Sequence, residues 1–253
     1  MIDVVATLRA AGCVFAEDEA RLLLDAAATP AELDELVRRR VAGEPLEVIV
    51  GWAEFLGRRV AVDAGVFVPR QRSAFVVENA VALARPGAVV LDLCCGAGAL
   101  GLAVAAAVEG VELHAADIEP AAVACARRNL AGTGRVYEGD LYEPLPETLR
   151  GRVDVLVVNA PYVPTDEIAM MPPEARDHEP VVALDGGSDG VAVHRRVAAG
   201  APRWLAPGGH LLIETSEHQA PLTAAAMAEH GLVPRVTTSD EHYCTVVIGT
   251  NAG

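Results

Sequence analysis

The 253-residue chain contains no lysine: all 20 of its cationic side chains are arginine, set against 35 acidic ones, for a formal net charge of −15. A field of that sign repels a phosphate backbone, so direct nucleic-acid binding is not expected. Missing lysine beside abundant alanine and arginine reads as codon bias, with little functional meaning. Aromatics are also scarce, at 4% against 52% hydrophobic residues, so the core must be built from Ala, Val and Leu. No run reaches the roughly 18–20 apolar residues that a membrane span needs, and the longest small-apolar stretch, residues 97–108, fits a buried helix. The opening Met1-Ile2-Asp3 lacks the basic segment of a signal peptide, so a cytoplasmic location is expected. Five scattered cysteines, two of them the adjacent Cys94 and Cys95, form neither a disulfide framework nor a zinc spacing. The histidines are equally scattered, and no metal site is expected.

What is present divides into three stretches. Residues 1–44 read as short helices. Thr29-Pro30-Ala31-Glu32 has the form of a capping box, followed by Leu33, Leu36, Val37 and Val41 at helical spacing. Residues 45–70 switch toward alternating, Gly-punctuated, β-branched sequence, which predicts a β-hairpin connector ending in a Pro-Arg corner. From 71 to 253 strands and helices alternate. Strands are predicted at 89–93, 111–116, 153–158, 210–213, 233–237 and 243–249, and helices at 98–108, 120–130, 190–203 and 219–229. This rhythm defines a doubly wound α/β sheet. Residues 164–189 have no strong period and contain several prolines and a Gly-Gly turn. A loop of this length inside a compact domain is expected to bind substrate.

Gly96-x-Gly98-x-x-Gly101 lies between a strand and a helix and matches the dinucleotide fingerprint, although such a turn also serves close helix packing. The acids around it separate the ligands. Asp92 at the preceding strand end opposes a diphosphate but suits a cationic ligand such as S-adenosyl-L-methionine. Asp117 ends the next strand, where a carboxylate can accept from ribose hydroxyls, and Asp140 ends what should be a third strand, ahead of 153–158, where it can accept from an adenine amino group. Asn159-Ala160-Pro161-Tyr162 then closes the apolar strand 153–158. The Asn159 side-chain carbonyl and the Ala160 backbone carbonyl are two acceptors for a planar NH2, Pro161 fixes the turn, and Tyr162 can lie against a flat π-system. Gripping both hydrogens aims the nitrogen lone pair and favours positive charge developing on it, without a strong base.

In combination these stretches resemble the protein-glutamine N5-methyltransferases of peptide-chain release factors, the HemK/PrmC family. The resemblance rests on the amino-terminal helices, GEPLEVIVGWAEFLGRRV, FVPR, VLDLCCGAGALGLAVA, ADIEPAAVACARRN, VVNAPY and HEPVVALDGGSDG, in the family's order. It implies a class I, Rossmann-like methyltransferase domain at 71–253 and a helical domain at 1–44 that recruits a protein substrate. It implies cofactor contacts at Cys94, Cys95, Gly96, Ala97, Gly98, Asp117, Ile118 and Leu141. Asn159 to Tyr162 would hold the glutamine of a Gly-Gly-Gln tripeptide, with Phe67, Pro69 and Arg70 on the substrate side. S-adenosyl-L-methionine would be converted to S-adenosyl-L-homocysteine.

The chain also departs from the family pattern. Ala160 replaces the first proline of Asn-Pro-Pro-Tyr, Cys94 and Cys95 replace a Gly-Thr, and Pro69-Arg70-Gln71-Arg72-Ser73-Ala74 replaces Pro-Arg-Pro-Asp-Thr-Glu. These changes suggest a divergent paralogue. Alternative readings are an adenine N6-methyltransferase acting on a flipped base, a small-molecule amine or amide methyltransferase, and a protein that binds the cofactor without turnover. An NAD dehydrogenase is disfavoured by Asp92 and by the lack of any lysine.

Overall fold

The structure, a computed structural model, describes residues 3–253. It opens on helices α1 (Val4–Ala10), α2 (Ala16–Ala26) and α3 (Pro30–Val41). Thr29 caps α3 as its sequence predicts: the hydroxyl accepts from Glu32 N at 3.2 Å, and the Glu32 carboxylate reaches back to Ala28 N at 2.8 Å. A fourth helix, α4 (Leu46–Val50), corrects the expectation of a hairpin starting at residue 45. Its Val-Ile-Val run suits a strand locally. However, Ile49 buries itself with Val4, Leu8, Leu23, Leu36 and Val37 in a separate small core, and Gly51 at φ +82° stops the helix. The antiparallel hairpin is confined to β1 (Trp52–Phe55) and β2 (Arg58–Ala61).

After α5 (Ala74–Leu83) come β3 (Val89–Leu93), α6 (Ala99–Ala107), β4 (Glu112–Asp117), α7 (Pro120–Asn129), β5 (Gly134–Glu138) and β6 (Val153–Val158). The short helix α8 (Pro173–His178) lies within 164–189, which otherwise consists of two 3-10 stretches, Thr165–Met170 and Val181–Ala183, and irregular loop. Then follow α9 (Ala192–Gly200), β7 (Leu205–Thr215), α10 (Ala220–Glu229), β8 (Leu232–Ser239) and β9 (Cys244–Asn251). β7 is much longer than expected. Its Leu205-Ala-Pro-Gly-Gly start hides an extension that pairs Leu205 with Val153 through an irregularity in register.

The seven strands run in the order β5-β4-β3-β6-β7-β9-β8, parallel except for β9, which is antiparallel to both neighbours. Alternate residues feed two cores. Val90, Val155, Val157 and Leu212 join α5, α6 and α7 on one face. Leu91, Leu93, Leu156, Val158, Leu211 and Ile213 join α9 and α10 on the other. Strand order reverses between β3 and β6, and in an open α/β sheet the crevice at such a reversal takes the ligand.

Candidate active site

At that crevice, outside the carboxyl ends of the strands, lies a cavity of about 480 Å³. The loop after β3 forms one wall. Cys94 (φ +54°), Gly96 (φ +53°) and Gly98 (φ +78°) all adopt the left-handed region. Only glycine occupies that region freely, so Cys94 carries strain of the kind found at ligand-binding loops. Leu141, at φ +49°, is a second strained residue on the cavity wall. Asp117 holds the loop from the end of β4: one carboxylate oxygen accepts from Gly96 N at 2.8 Å and the other from Glu119 N at 2.9 Å. Burial, only partly offset by these bonds, raises the Asp117 pKa.

The structure brings most of the sequence-predicted residues to this cavity. Phe67, Pro69, Arg70, Cys94, Cys95, Gly96, Ala97, Asp117, Ile118, Asp140, Leu141, Asn159, Ala160, Pro161 and Tyr162 all line it. Two residues lie elsewhere. Gly98 is the N-cap of α6 and packs beneath it; a Cβ there would stand 3.2 Å from Leu130. Asp92 is completely buried. Strand alternation, with Leu91 and Leu93 on the opposite face, turns its carboxylate under α6, where Oδ2 accepts from Gly101 N at 2.8 Å. Its other oxygen has no partner, and burial pushes its pKa up to about 8. Asp92 therefore supports the glycine loop rather than facing a ligand, and the acids that line the cavity are Asp117, Glu119, Asp140 and, beside Arg70, Glu179. Asp140 is also bonded to Arg196 of α9 at 2.6 Å. Burial, then the neighbouring acids, raise both cysteine thiols, so neither is a thiolate nucleophile near neutral pH.

The opposite wall is Asn159 to Tyr162 at the end of β6. Asn159 Nδ2 donates to Ser73 Oγ at 3.3 Å, which leaves Oδ1 as the group available to the cavity. The Tyr162 hydroxyl accepts from Arg72 Nη2 at 2.6 Å, and burial, more than the nearby Glu214 charge, raises its pKa to about 12. Its backbone carbonyl accepts from Gln219 Nε2 at 2.8 Å. That approach requires Gly190: a Cβ there would lie 2.4 Å from the Tyr162 carbonyl oxygen and closer still to Gln219. Segment 164–189 closes the side of the cavity with Met171, Pro172, Ala175, Val182 and Leu184. Three ion pairs tie it down, one of them Asp189 with Arg195 of α9 at 2.6 Å. Glu174 meets Arg40 of α3 at 3.1 Å, and Glu179 meets Arg70 at 2.5 Å.

Sequence reasoning missed Arg72, Ser73, Glu214 and Gln219. A signal was present for Glu214, an acid directly after the apolar run Leu211-Leu212-Ile213, where a buried charge needs a partner.

The mixed seven-stranded sheet and its switch-point cavity define a class I methyltransferase fold. Residues 59–171 match the methyltransferase small domain family. A methyltransferase structure from Pyrococcus furiosus superposes with a TM-score of 0.60 at 16% identity, covering 78% of this chain and 91% of that one. A release factor glutamine methyltransferase of Geobacter sulfurreducens is 36% identical over 221 residues, 86% of this chain and 77% of the relative. A 4-amino-L-phenylalanine/4-methylamino-L-phenylalanine methyltransferase of Streptomyces pristinaespiralis is 39% identical over 191 residues, 72% of this chain and 65% of the relative. The chain belongs to the release factor glutamine methyltransferase family.

Proposed function

We propose that this protein transfers a methyl group from S-adenosyl-L-methionine to the side-chain amide nitrogen of a protein glutamine, with a peptide-chain release factor as substrate. The observation that carries this reading is the Asn159 side chain. Its NH2 is tied to Ser73 and its carbonyl is left for the cavity, so the site presents an acceptor where an acceptor nitrogen needs one. The cofactor fits the other wall. A loop with glycines at positive φ lets a ligand approach the backbone closely, and the cavity acids Asp117, Glu119 and Asp140 complement hydroxyls and a cation. When bound, S-adenosyl-L-methionine supplies an electrophilic methyl group on a sulfonium.

The chain's own residues then orient and exclude. Asn159 Oδ1 and the Ala160 carbonyl accept the two N–H bonds of the amide, Tyr162 lies against its plane, and Met171, Val182 and Leu184 keep the cavity apolar. An amide nitrogen is a poor nucleophile because its lone pair is delocalised. Two acceptors on its hydrogens favour the charge that develops as the N–C bond forms and the methyl–sulfonium bond would break, with S-adenosyl-L-homocysteine as the leaving group. The N-methylated amide then carries an acidic proton, which passes to solvent. A strong base is not needed. Phe67, Pro69 and Arg70 flank the substrate side, and the helical module at the amino terminus recruits the substrate protein.

A second reading has its own support. The relative that acts on an aromatic amino acid amine matches as well as many release factor enzymes, and the same acceptors would grip an arylamine NH2. The test is mass spectrometry after incubating the protein and cofactor with release factors of its host and, separately, with 4-amino-L-phenylalanine. One methyl on the glutamine of Gly-Gly-Gln supports the first reading, and a methylated amine alone replaces it with the second. Asn159→Ala is expected to lower turnover by about 10²–10³-fold while leaving cofactor affinity within about twofold. Wild-type turnover in that variant would overturn the clamp.

A further inference from the structure

We infer that Glu214, outside the cavity, is a positioning residue that sets the hydrogen-bond polarity of the Asn159 clamp through Ser73. Glu214 is the penultimate residue of strand β7, beside β6, and its side chain is 1% exposed. A carboxylate can only accept. One oxygen accepts from Ser73 Oγ at 2.5 Å and the other from Arg72 Nε at 3.0 Å. The single Ser73 proton is therefore spent on Glu214, and Ser73 can meet Asn159 only as an acceptor. Asn159 must turn its NH2 toward Ser73 and its carbonyl toward the cavity. Ser73 stands at the N-cap of α5 yet makes no side-chain cap bond, although capping is the ordinary use of a serine there. Arg72 extends the same anchor to the other clamp residue, through its bond to the Tyr162 hydroxyl.

The relay predicts an isosteric way to reverse it. In Glu214→Gln the new carbonyl still faces Arg72 Nε, so the new NH2 donates to Ser73 Oγ. The Ser73 proton is released toward Asn159, whose amide flips and presents a donor to the substrate's own N–H groups.

The role in turnover rests on the reading of Asn159 as the clamp; the polarity itself does not, so it is tested separately. In protein labelled with ¹⁵N-asparagine, which carries four such residues, the wild type is expected to show a nuclear Overhauser contact between the Asn159 side-chain amide protons and the Ser73 β-protons. Glu214→Gln is expected to lose it. Kinetically, Glu214→Gln should lower kcat by about 10²-fold, with S-adenosyl-L-homocysteine affinity and substrate KM within about threefold. Ser73→Thr should recover most of what Ser73→Ala loses. Absence of the contact in the wild type, or wild-type kcat in a folded Glu214→Gln, would overturn the relay. The contact present in a protein that methylates neither candidate substrate would uphold the relay and remove the functional reading.

Discussion

Two buried carboxylates flank the strand that leads to the proposed clamp, and they solve the same problem in opposite ways. Asp92 is the penultimate residue of β3 and Glu214 of β7, on either side of β6 and toward the same face of the sheet. Each supports one wall of the cavity from behind. Asp92 accepts a single backbone N–H, leaves one oxygen bare and has its pKa raised to about 8. Glu214 has both oxygens engaged, one by a guanidinium. A wall made of backbone needs only a small polar support that can stay protonated. A wall made of side chains needs an ionised acceptor, because the direction of every hydrogen bond in front of it depends on that charge.

Removing each support separates the two designs. Glu214→Ala should cost about 1–3 kcal/mol, below the usual 3–5 for breaking a buried pair because the Arg72 side chain is 42% exposed and can rehydrate; chemical denaturation with an unchanged m-value checks it. Asp92→Asn should instead change the pH dependence. With a folded pKa near 8 against an ordinary 3.8, the wild-type fold binds the proton that the unfolded chain releases. That contribution is present below about pH 4 and is lost as pH rises toward 8. From pH 4 to pH 8 the variant should gain on the wild type by more than about 1.4 kcal/mol, one pKa unit; parallel stability curves would show that Asp92 ionises freely. Cys94→Gly should matter least. Relief of its positive φ and loss of its partly buried thiol oppose each other, for a net change in unfolding free energy within about 1 kcal/mol.

The sheet was legible in the sequence because both-face burial writes itself as continuous apolar runs such as Val153–Val158, and the glycine loop because positive φ demands glycine. The helix at Leu46–Val50 was not, since tertiary burial of Ile49 outweighs the strand preference of a β-branched run. The proposed clamp is four consecutive residues, Asn159 to Tyr162, and all four line the cavity. Its support was not legible: Ser73 and Glu214 are separated by 141 positions, and no local pattern links them. Asp92 shows a subtler failure. Its place at the strand end was right, but the two-residue alternation that makes Leu91 and Leu93 apolar-facing also turns Asp92 away from the ligand.

The sheet position of β7, between β6 and β9, has a consequence for the timing of motion. Amides on both of its edges are bonded in ladders, and such interior strands exchange their hydrogens only in the rarest, most global openings. Residues 164–189, built from one six-residue helix, short 3-10 stretches and loop and pinned by ion pairs, belong to the opposite end of that scale. The cavity is thus bounded by walls that keep different clocks. In a hydrogen-exchange measurement, the amides of β7, which carries Glu214, are expected to exchange last, and those of segment 164–189 well before them.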